Sequence, residues 1–184
     1  MALTPSTMLG LGTAMPDFRL PNTHPGQGGE TVERADLAGQ PVVVVFTCNH
    51  CPYAVHVEPR LIELARRWRQ RGVATVAISS NDARAYPQDG PDAMAERAAR
   101  LGYPFPYLYD ETQEAARAFD AACTPDFYLF DADHRLAYRG RLDDSRPGTT
   151  PTTSDLADAV RQLLAEGEVT GEQVPSMGCN IKWR

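Results

Sequence analysis

The sequence lacks an excess of positive charge and any apolar stretch long enough to cross a membrane. Its 18 Lys and Arg against 24 Asp and Glu give a formal net charge of -6. That is the wrong sign for neutralising phosphates or coating an anionic membrane, so we expect neither nucleic acid nor a membrane as a partner. The first residues, Met1 to Ser6, show no cationic, apolar leader, and we therefore expect a cytoplasmic protein.

Cysteine is also scarce, with four residues in a chain of 184. A chain of this length can bury roughly 70% of the surface that its unfolded form exposes, so it needs no disulfide framework. We expect a single domain over residues 1–184, with a core at about 13–167 and a tail at 168–184. In a reducing cytosol, few cysteines indicate catalysis, redox sensing or metal binding.

Two of the cysteines form a C-x-x-C motif, Cys48-Asn49-His50-Cys51, at the end of the apolar run Val42–Phe46. Two thiols at this spacing, where a buried strand gives way to a helix, suit a reversible disulfide. We expect Cys48 to be the nucleophile and Cys51, one turn along, the resolving thiol. The helix terminus and His50 both predict a pKa of Cys48 below that of a free thiol.

Other roles for the pair are less well supported. A c-type haem site needs His directly after the second cysteine, and that position is Pro52. Zinc or copper would need two more ligands, and His56, Cys123 and Cys179 are scattered along the chain. Two inert buried cysteines remain an alternative. We expect no metal and no organic cofactor.

Apolar periodicity predicts an α/β fold with a mixed central sheet flanked by helices, an N-terminal β extension and an irregular C-terminal tail. The predicted hairpin near the end joins two antiparallel strands. The predicted elements after the N-terminal extension are strand 42–46, helix 53–70, strand 73–79, helix 91–101, strand 105–109, a helix capped by Asp110 and Gln113, strands 127–130 and 136–139, and a last helix around 156–164.

Four segments together resemble a known family: Pro16-Asp17-Phe18, Gln40–Phe46, the C-N-H-C-P motif and Cys123-Thr124-Pro125-Asp126-Phe127. They resemble the thioredoxin-like superfamily, specifically its alkyl hydroperoxide reductase/thiol-specific antioxidant (redoxin) branch, over roughly residues 13–167. The resemblance implies that Pro125 is a cis-proline facing the dithiol. It also implies that the Thr124 backbone binds an extended substrate segment.

The resemblance implies a thiol-disulfide oxidoreductase that acts on a protein or small-molecule disulfide or peroxide and receives electrons from a thiol donor. A thiol-dependent peroxidase is an alternative, but Val45 stands where peroxiredoxins carry a Thr or Ser hydroxyl. A redox-sensing binding module without turnover is a further alternative. Thioredoxins also carry Trp and a buried Asp where this chain has Thr47 and Val42, so Glu58, His56 or water would have to move the proton of the resolving thiol.

Two cysteines outside the motif are additional redox candidates. Cys123 adjoins Thr124-Pro125, so it either forms an alternative disulfide with the pair or is a small buried residue. Cys179 lies in the tail without a spacing partner. It is a second resolving thiol if the tail folds over the site, and incidental otherwise.

Overall fold

The structure is a computed structural model and describes residues 3–184. In chain order its helices and strands are β1 (Leu3–Pro5), β2 (Arg19–Pro21), β3 (Thr31–Glu33), β4 (Val42–Phe46), α1 (Pro52–Gln70), β5 (Ala74–Ser79), α2 (Pro91–Leu101), β6 (Tyr107–Tyr109), α3 (Glu114–Ala118), β7 (Cys123–Thr124), β8 (Asp126–Phe130), β9 (Leu136–Gly140), α4 (Asp155–Glu166) and β10 (Met177–Asn180). Short 3-10 turns span Arg34–Leu37 and Pro87–Asp89.

A mixed five-stranded sheet forms the centre, in the order β6-β5-β4-β8-β9. The strands β4, β5 and β6 run parallel, whereas β8 is antiparallel to both β4 and β9. All five residues of β4 are buried, because a central strand covered on both faces needs apolar side chains on both. The predicted mixed sheet is therefore confirmed.

Side chains of β4 alternate between two apolar cores. Val43 and Val45 lie in the core that includes buried residues of α1, α2 and α4. Val42, Val44 and Phe46 lie in the core that includes α3, the N-terminal segment and the tail. This period of two is the geometry of an extended strand, and it places helices on both faces of the sheet.

The helix α3 is shorter than predicted and is capped differently. Gln113 precedes it in a left-handed conformation with φ 64°, so it does not complete the predicted capping box. The Asp110 carboxylate instead accepts hydrogen bonds from the backbone N–H groups of Ala115 at 3.3 Å and Ala116 at 2.9 Å. The Gln113 side chain is thereby free to donate to the Lys182 carbonyl at 2.8 Å, which anchors the tail.

The N-terminal extension and the tail contribute two further small sheets. β2 and β3 pair antiparallel, which confirms the predicted N-terminal β extension. The tail is irregular over 168–176, but the prediction of an irregular tail is wrong for its end, where β10 forms a strand between β1 and β7. Met-Gly-Cys-Asn contains no β-branched or aromatic residue, so the strand arises from its neighbours and not from propensity. Along residues 3–184 no helix combines the length and the apolar character needed to cross a membrane.

Candidate active site

The C-x-x-C pair lies at the junction of β4 and α1. Cys48 follows the carboxyl end of β4, and Cys51 is the N-cap of α1, with Pro52 in its first turn. Both thiols are free, and they lie in one buried cluster with Ala54 and Cys179. Cys48 is 3% exposed and Cys51 is fully buried. The structure thus shows a reduced, enclosed dithiol.

The loop between β7 and β8 faces this dithiol. Its Thr124-Pro125 peptide bond is cis, as the resemblance implies. The Thr124 hydroxyl lies 3.6 Å from Cys48 Sγ, and the Thr124 carbonyl accepts a hydrogen bond from Cys51 Sγ at 3.1 Å. Thr124 therefore contacts both sulfurs.

His50 is held by a carboxylate that the sequence did not single out. Its Nδ1 lies 2.5 Å from Asp89 Oδ2, in the 3-10 turn before α2, and its ring stacks on Tyr86 at a centroid distance of 5.1 Å. Asn49 N–H and the Asn81 side chain also donate to Asp89, at 2.8 and 2.9 Å. This places the Nδ1 proton against the carboxylate. His50 Nε2 is buried and has no hydrogen-bond partner among residues 3–184.

Cys48, His50 and Asp89 could together offer ligands to a metal ion, since one ligand atom of each lies within 4.8 Å of the others. The set supplies three ligands, one fewer than a structural zinc site has and the number that a catalytic zinc site takes from protein. Within it, His50 and Asp89 already hydrogen-bond each other.

The tail reaches the dithiol through β10. Cys179 pairs with Thr124 and Asn180 with Cys123 across the antiparallel β10 and β7 strands, and Cys179 Sγ lies 2.8 Å from Cys51 Sγ. The Thr124 backbone, which the resemblance assigns to an extended substrate, is thus occupied by the chain's own tail. Gly178 permits this approach, because a Cβ there would lie 2.0 Å from the Thr124 carbonyl oxygen.

The two thiols of the motif ionise unequally. The Cys48 thiol and then the Cys179 thiol lower the pKa of Cys51 to about 4, against the opposing effect of burial. The interaction with Cys51, then burial, then the Asp89 carboxylate raise the pKa of Cys48. The predicted low pKa of Cys48 is therefore wrong for this reduced arrangement, because the N-cap of α1 is Cys51 and the charge-stabilising contacts fall on its sulfur.

The model of the AhpC/TSA family matches residues 11–139, which is more than half of the chain. The chain belongs to the AhpC/TSA family. A crystal structure of an uncharacterised conserved protein from Geobacillus kaustophilus is 49% identical to this AhpC/TSA protein, with a TM-score of 0.93 over 100% of this chain and 97% of that one. A hypothetical protein from Sinorhizobium meliloti 1021 is 41% identical, with a TM-score of 0.92 over 98% of each chain.

More distant structures share the fold of this AhpC/TSA protein. The thioredoxin domain of a thiol-disulfide oxidoreductase from Bacteroides vulgatus is 15% identical, with a TM-score of 0.64 over 85% of this chain and 99% of that one. None of the curated proteins matches the chain. Membership of the AhpC/TSA family and the thioredoxin-like fold identify a redox protein of the thioredoxin-like kind.

The remaining residues singled out in this AhpC/TSA sequence have other contacts. Cys123 is fully buried, its thiol faces the Pro125 carbonyl at 3.8 Å, and burial raises its pKa. Glu58 pairs with Arg97 at 2.7 and 2.8 Å. His56 Nε2 lies 2.9 Å from the Ser145 hydroxyl. Neither of these two proton-transfer candidates contacts Cys51, and the His50 and Asp89 pair lies nearer the dithiol. Asp89 was not predicted as a site residue because it lies 38 residues beyond Cys51, outside the predicted strands and helices.

Proposed function

We propose that the protein is a thiol-disulfide oxidoreductase in which Cys48 attacks a substrate disulfide and Cys51 resolves the mixed disulfide. The observation that carries this proposal is the pair of free thiols that share one buried cluster at the start of α1 and both contact Thr124. Attack by a thiolate and resolution by a second thiol are the two steps of disulfide exchange.

Cys48 is the thiol that meets the substrate. Cys51 is fully buried, and its sulfur contacts the Thr124 carbonyl and the Cys179 sulfur, so an external sulfur has no approach to it. Transfer of the Cys48 proton to the Cys51 thiolate leaves the thiolate on Cys48. His50, with Nδ1 held by Asp89 and Nε2 unpartnered, provides a second acceptor for that proton.

Resolution follows from the contact between the two sulfurs of the motif. Once Cys48 carries the substrate sulfur, the Cys51 thiolate attacks Cys48 Sγ and expels the substrate thiolate. Cys51 first releases the proton that it took up from Cys48, and the neighbouring Cys179 thiol, which lowers the Cys51 pKa, favours the resulting thiolate, the reactive form. The products are the reduced substrate and a Cys48-Cys51 disulfide, which a thiol electron donor reduces.

The pairing of β10 with β7 favours a small substrate over an extended protein segment. A protein segment that paired with the Thr124 backbone would have to displace β10, which occupies that edge. We therefore favour a low-molecular-weight disulfide over an extended protein segment as the substrate. A cytoplasmic location, where reduced thiols are abundant, stays a prediction.

A hydroperoxide is the second candidate substrate, on the basis of one contact. Val45 carries no hydroxyl, but the Thr124 hydroxyl lies 3.6 Å from Cys48 Sγ. It is therefore placed to donate a hydrogen bond near the reacting sulfur, in the role that Val45 cannot fill. In a peroxidase, Cys48 would become a sulfenic acid, which Cys51 would condense into the same disulfide.

Stopped-flow oxidation of the reduced protein by a model disulfide and, separately, by hydrogen peroxide tests both candidates. We expect fast reaction with the disulfide, loss of that reaction in Cys48→Ser, and a trapped mixed disulfide at Cys48 in Cys51→Ser. Fast peroxide reaction with slow disulfide reaction would replace the proposal by the peroxidase. No Cys48-dependent reaction with either oxidant would leave a binding module without turnover.

A further inference from the structure

The tail cysteine is placed as a third redox residue. We propose that the Cys48-Cys51 disulfide passes to Cys179, so that the oxidised resting form carries a Cys51-Cys179 disulfide and a free Cys48 thiol. This inference rests on the proposed function, because the first disulfide is formed by that reaction. In this proposal β10 acts as an internal substrate, because it pairs with β7 where an external substrate segment would otherwise bind.

The geometry favours bond formation between Cys51 and Cys179. Their sulfurs are 2.8 Å apart, and a disulfide bond is about 2.05 Å long, so closing the bond needs a movement of only about 0.8 Å. Both thiols are at least 96% buried, which keeps external thiols away from the new bond. Cys51 shares one buried cluster with both possible partners, Cys48 and Cys179, and can exchange one for the other.

The backbone around Cys179 is held so that its thiol stays at this place. β10 pairs with β1 on one side and β7 on the other. Beyond it, Ile181 is buried in the core, Lys182 N–H donates to the Asn81 side chain at 2.8 Å, and Arg184 pairs with Asp82 at 3.1 Å. The tail therefore presents a fixed thiol to the dithiol.

The ionisation of Cys179 depends on the state of Cys51. Burial and then the hydrogen bond and charge of Cys51 raise the pKa of Cys179 to about 12, whereas Lys182 lowers it. When Cys51 enters a disulfide, its thiolate charge disappears and Cys179 becomes easier to ionise. The Cys179 thiol is therefore largely protonated and unreactive in the reduced protein, and it becomes more reactive once the Cys48-Cys51 disulfide has formed.

The transfer is a balanced thiol-disulfide exchange. The Cys179 thiolate attacks Cys51 Sγ, the new Cys51-Cys179 bond forms and the Cys48-Cys51 bond breaks. The electron pair of the broken bond leaves on Cys48 Sγ, which takes up one proton as Cys179 gives up one. The number of disulfides is unchanged, so no further oxidant or reductant takes part. His50 lies near Cys48 and can deliver the proton.

Disulfide mapping tests the transfer directly. Cys48 and Cys51 share the tryptic peptide 35–60, whereas Cys179 lies on peptide 162–182. The reduced protein is treated with one equivalent of diamide, quenched with acid at successive times, alkylated and digested without reduction. We expect the bond within peptide 35–60 to appear first and to be replaced by a cross-link to peptide 162–182, with Cys48 alkylated in the final product.

Two variants test which cysteine receives the disulfide. Cys179→Ser should stop at the bond within peptide 35–60, and Cys123→Ser should give the wild-type cross-link because the Cys123 thiol faces the Pro125 carbonyl. A final wild-type product with Cys48 bonded to Cys51 and Cys179 alkylated would overturn the transfer. The proposed function would still stand in that case, provided that Cys48→Ser abolishes the reaction with the model disulfide. Loss of that dependence would instead overturn the proposed function.

Discussion

Asp89 orients His50 toward the dithiol, and its buried carboxylate binds three groups: His50 Nδ1, the Asn49 N–H and the Asn81 side chain. Replacing the carboxylate by an amide removes its negative charge and one of its two acceptor oxygens, so that the three donors can no longer all be accepted. We expect Asp89→Asn to slow mixed-disulfide formation at Cys48 by about tenfold or more, since general acid-base groups contribute about 10²–10⁴-fold. The measurement is the rate of reaction with a model disulfide from pH 6 to pH 9. Asp92→Asn, at an exposed position nearby, is the control, and equal rates in both variants would remove Asp89 from the mechanism.

Asp126, the first residue of β8, makes stability depend on pH. Burial raises its pKa to about 7, whereas an unfolded Asp has a pKa of about 3.9. Between these values the folded state keeps a proton that the unfolded state has released, so the free energy of unfolding falls as the pH rises from about 4 to about 7. The full loss is at most about 4 kcal/mol and stays constant above that window.

Urea unfolding of Asp126→Asn between pH 5 and pH 8 measures this contribution, because the amide cannot ionise. We expect the variant to gain stability relative to wild type as the pH rises. Asp133→Asn, an exposed residue in the turn between β8 and β9, should follow the wild-type curve. A constant difference between Asp126→Asn and wild type across this range would contradict the assignment.

At the scale of elements, the approach of β10 to β7 depends on Gly178. A Cβ there would lie 2.0 Å from a backbone oxygen of Thr124, which cannot rotate away. We expect Gly178→Ala to lower the free energy of unfolding by about 1–3 kcal/mol, as overpacking does, and to slow formation of the Cys51-Cys179 bond by separating the two sulfurs. Urea unfolding and disulfide mapping provide the two readouts. Gly26→Ala is the control, because a Cβ there meets open space, and it should change neither the free energy of unfolding nor the rate of bond formation. If Gly178→Ala also changed neither quantity, the pairing of β10 with β7 would not require glycine at position 178.

At the scale of the whole molecule, the tail is part of the folded core. Ile181 is 1% exposed and packs with β4 and α3 residues, whereas Trp183 is 43% exposed and contacts Arg117 at 5.0 Å. We expect Ile181→Ala to cost about 2–5 kcal/mol in the free energy of unfolding. Trp183→Ala should cost about 0.5–1 kcal/mol, the value of an exposed cation-π contact. Equal losses in chemical denaturation would mean that the tail is not packed as the structure shows.

Most of the fold could be predicted because its signals are local. The apolar run of β4, the helical spacing of α1 and α4 and the turn residues between β8 and β9 each report on a few neighbouring positions. The boundaries follow closely, with α2 over Pro91–Leu101 in both prediction and structure. The capping of α3 escaped prediction because the Gln113 side chain binds Lys182, about 70 residues away in the chain.

The sequence by itself determined the α/β order and the dithiol at the end of β4, because motif spacing and short-range pattern carry that information, whereas the cis-proline loop opposite the dithiol was implied only by the family resemblance. Only the tertiary structure decided that β10 fills the β7 edge, that Asp89 holds His50 and that Cys179 meets Cys51. These contacts join positions 39 to 128 residues apart. No local pattern specifies such pairs, since they arise only when packing of the whole chain brings their elements together.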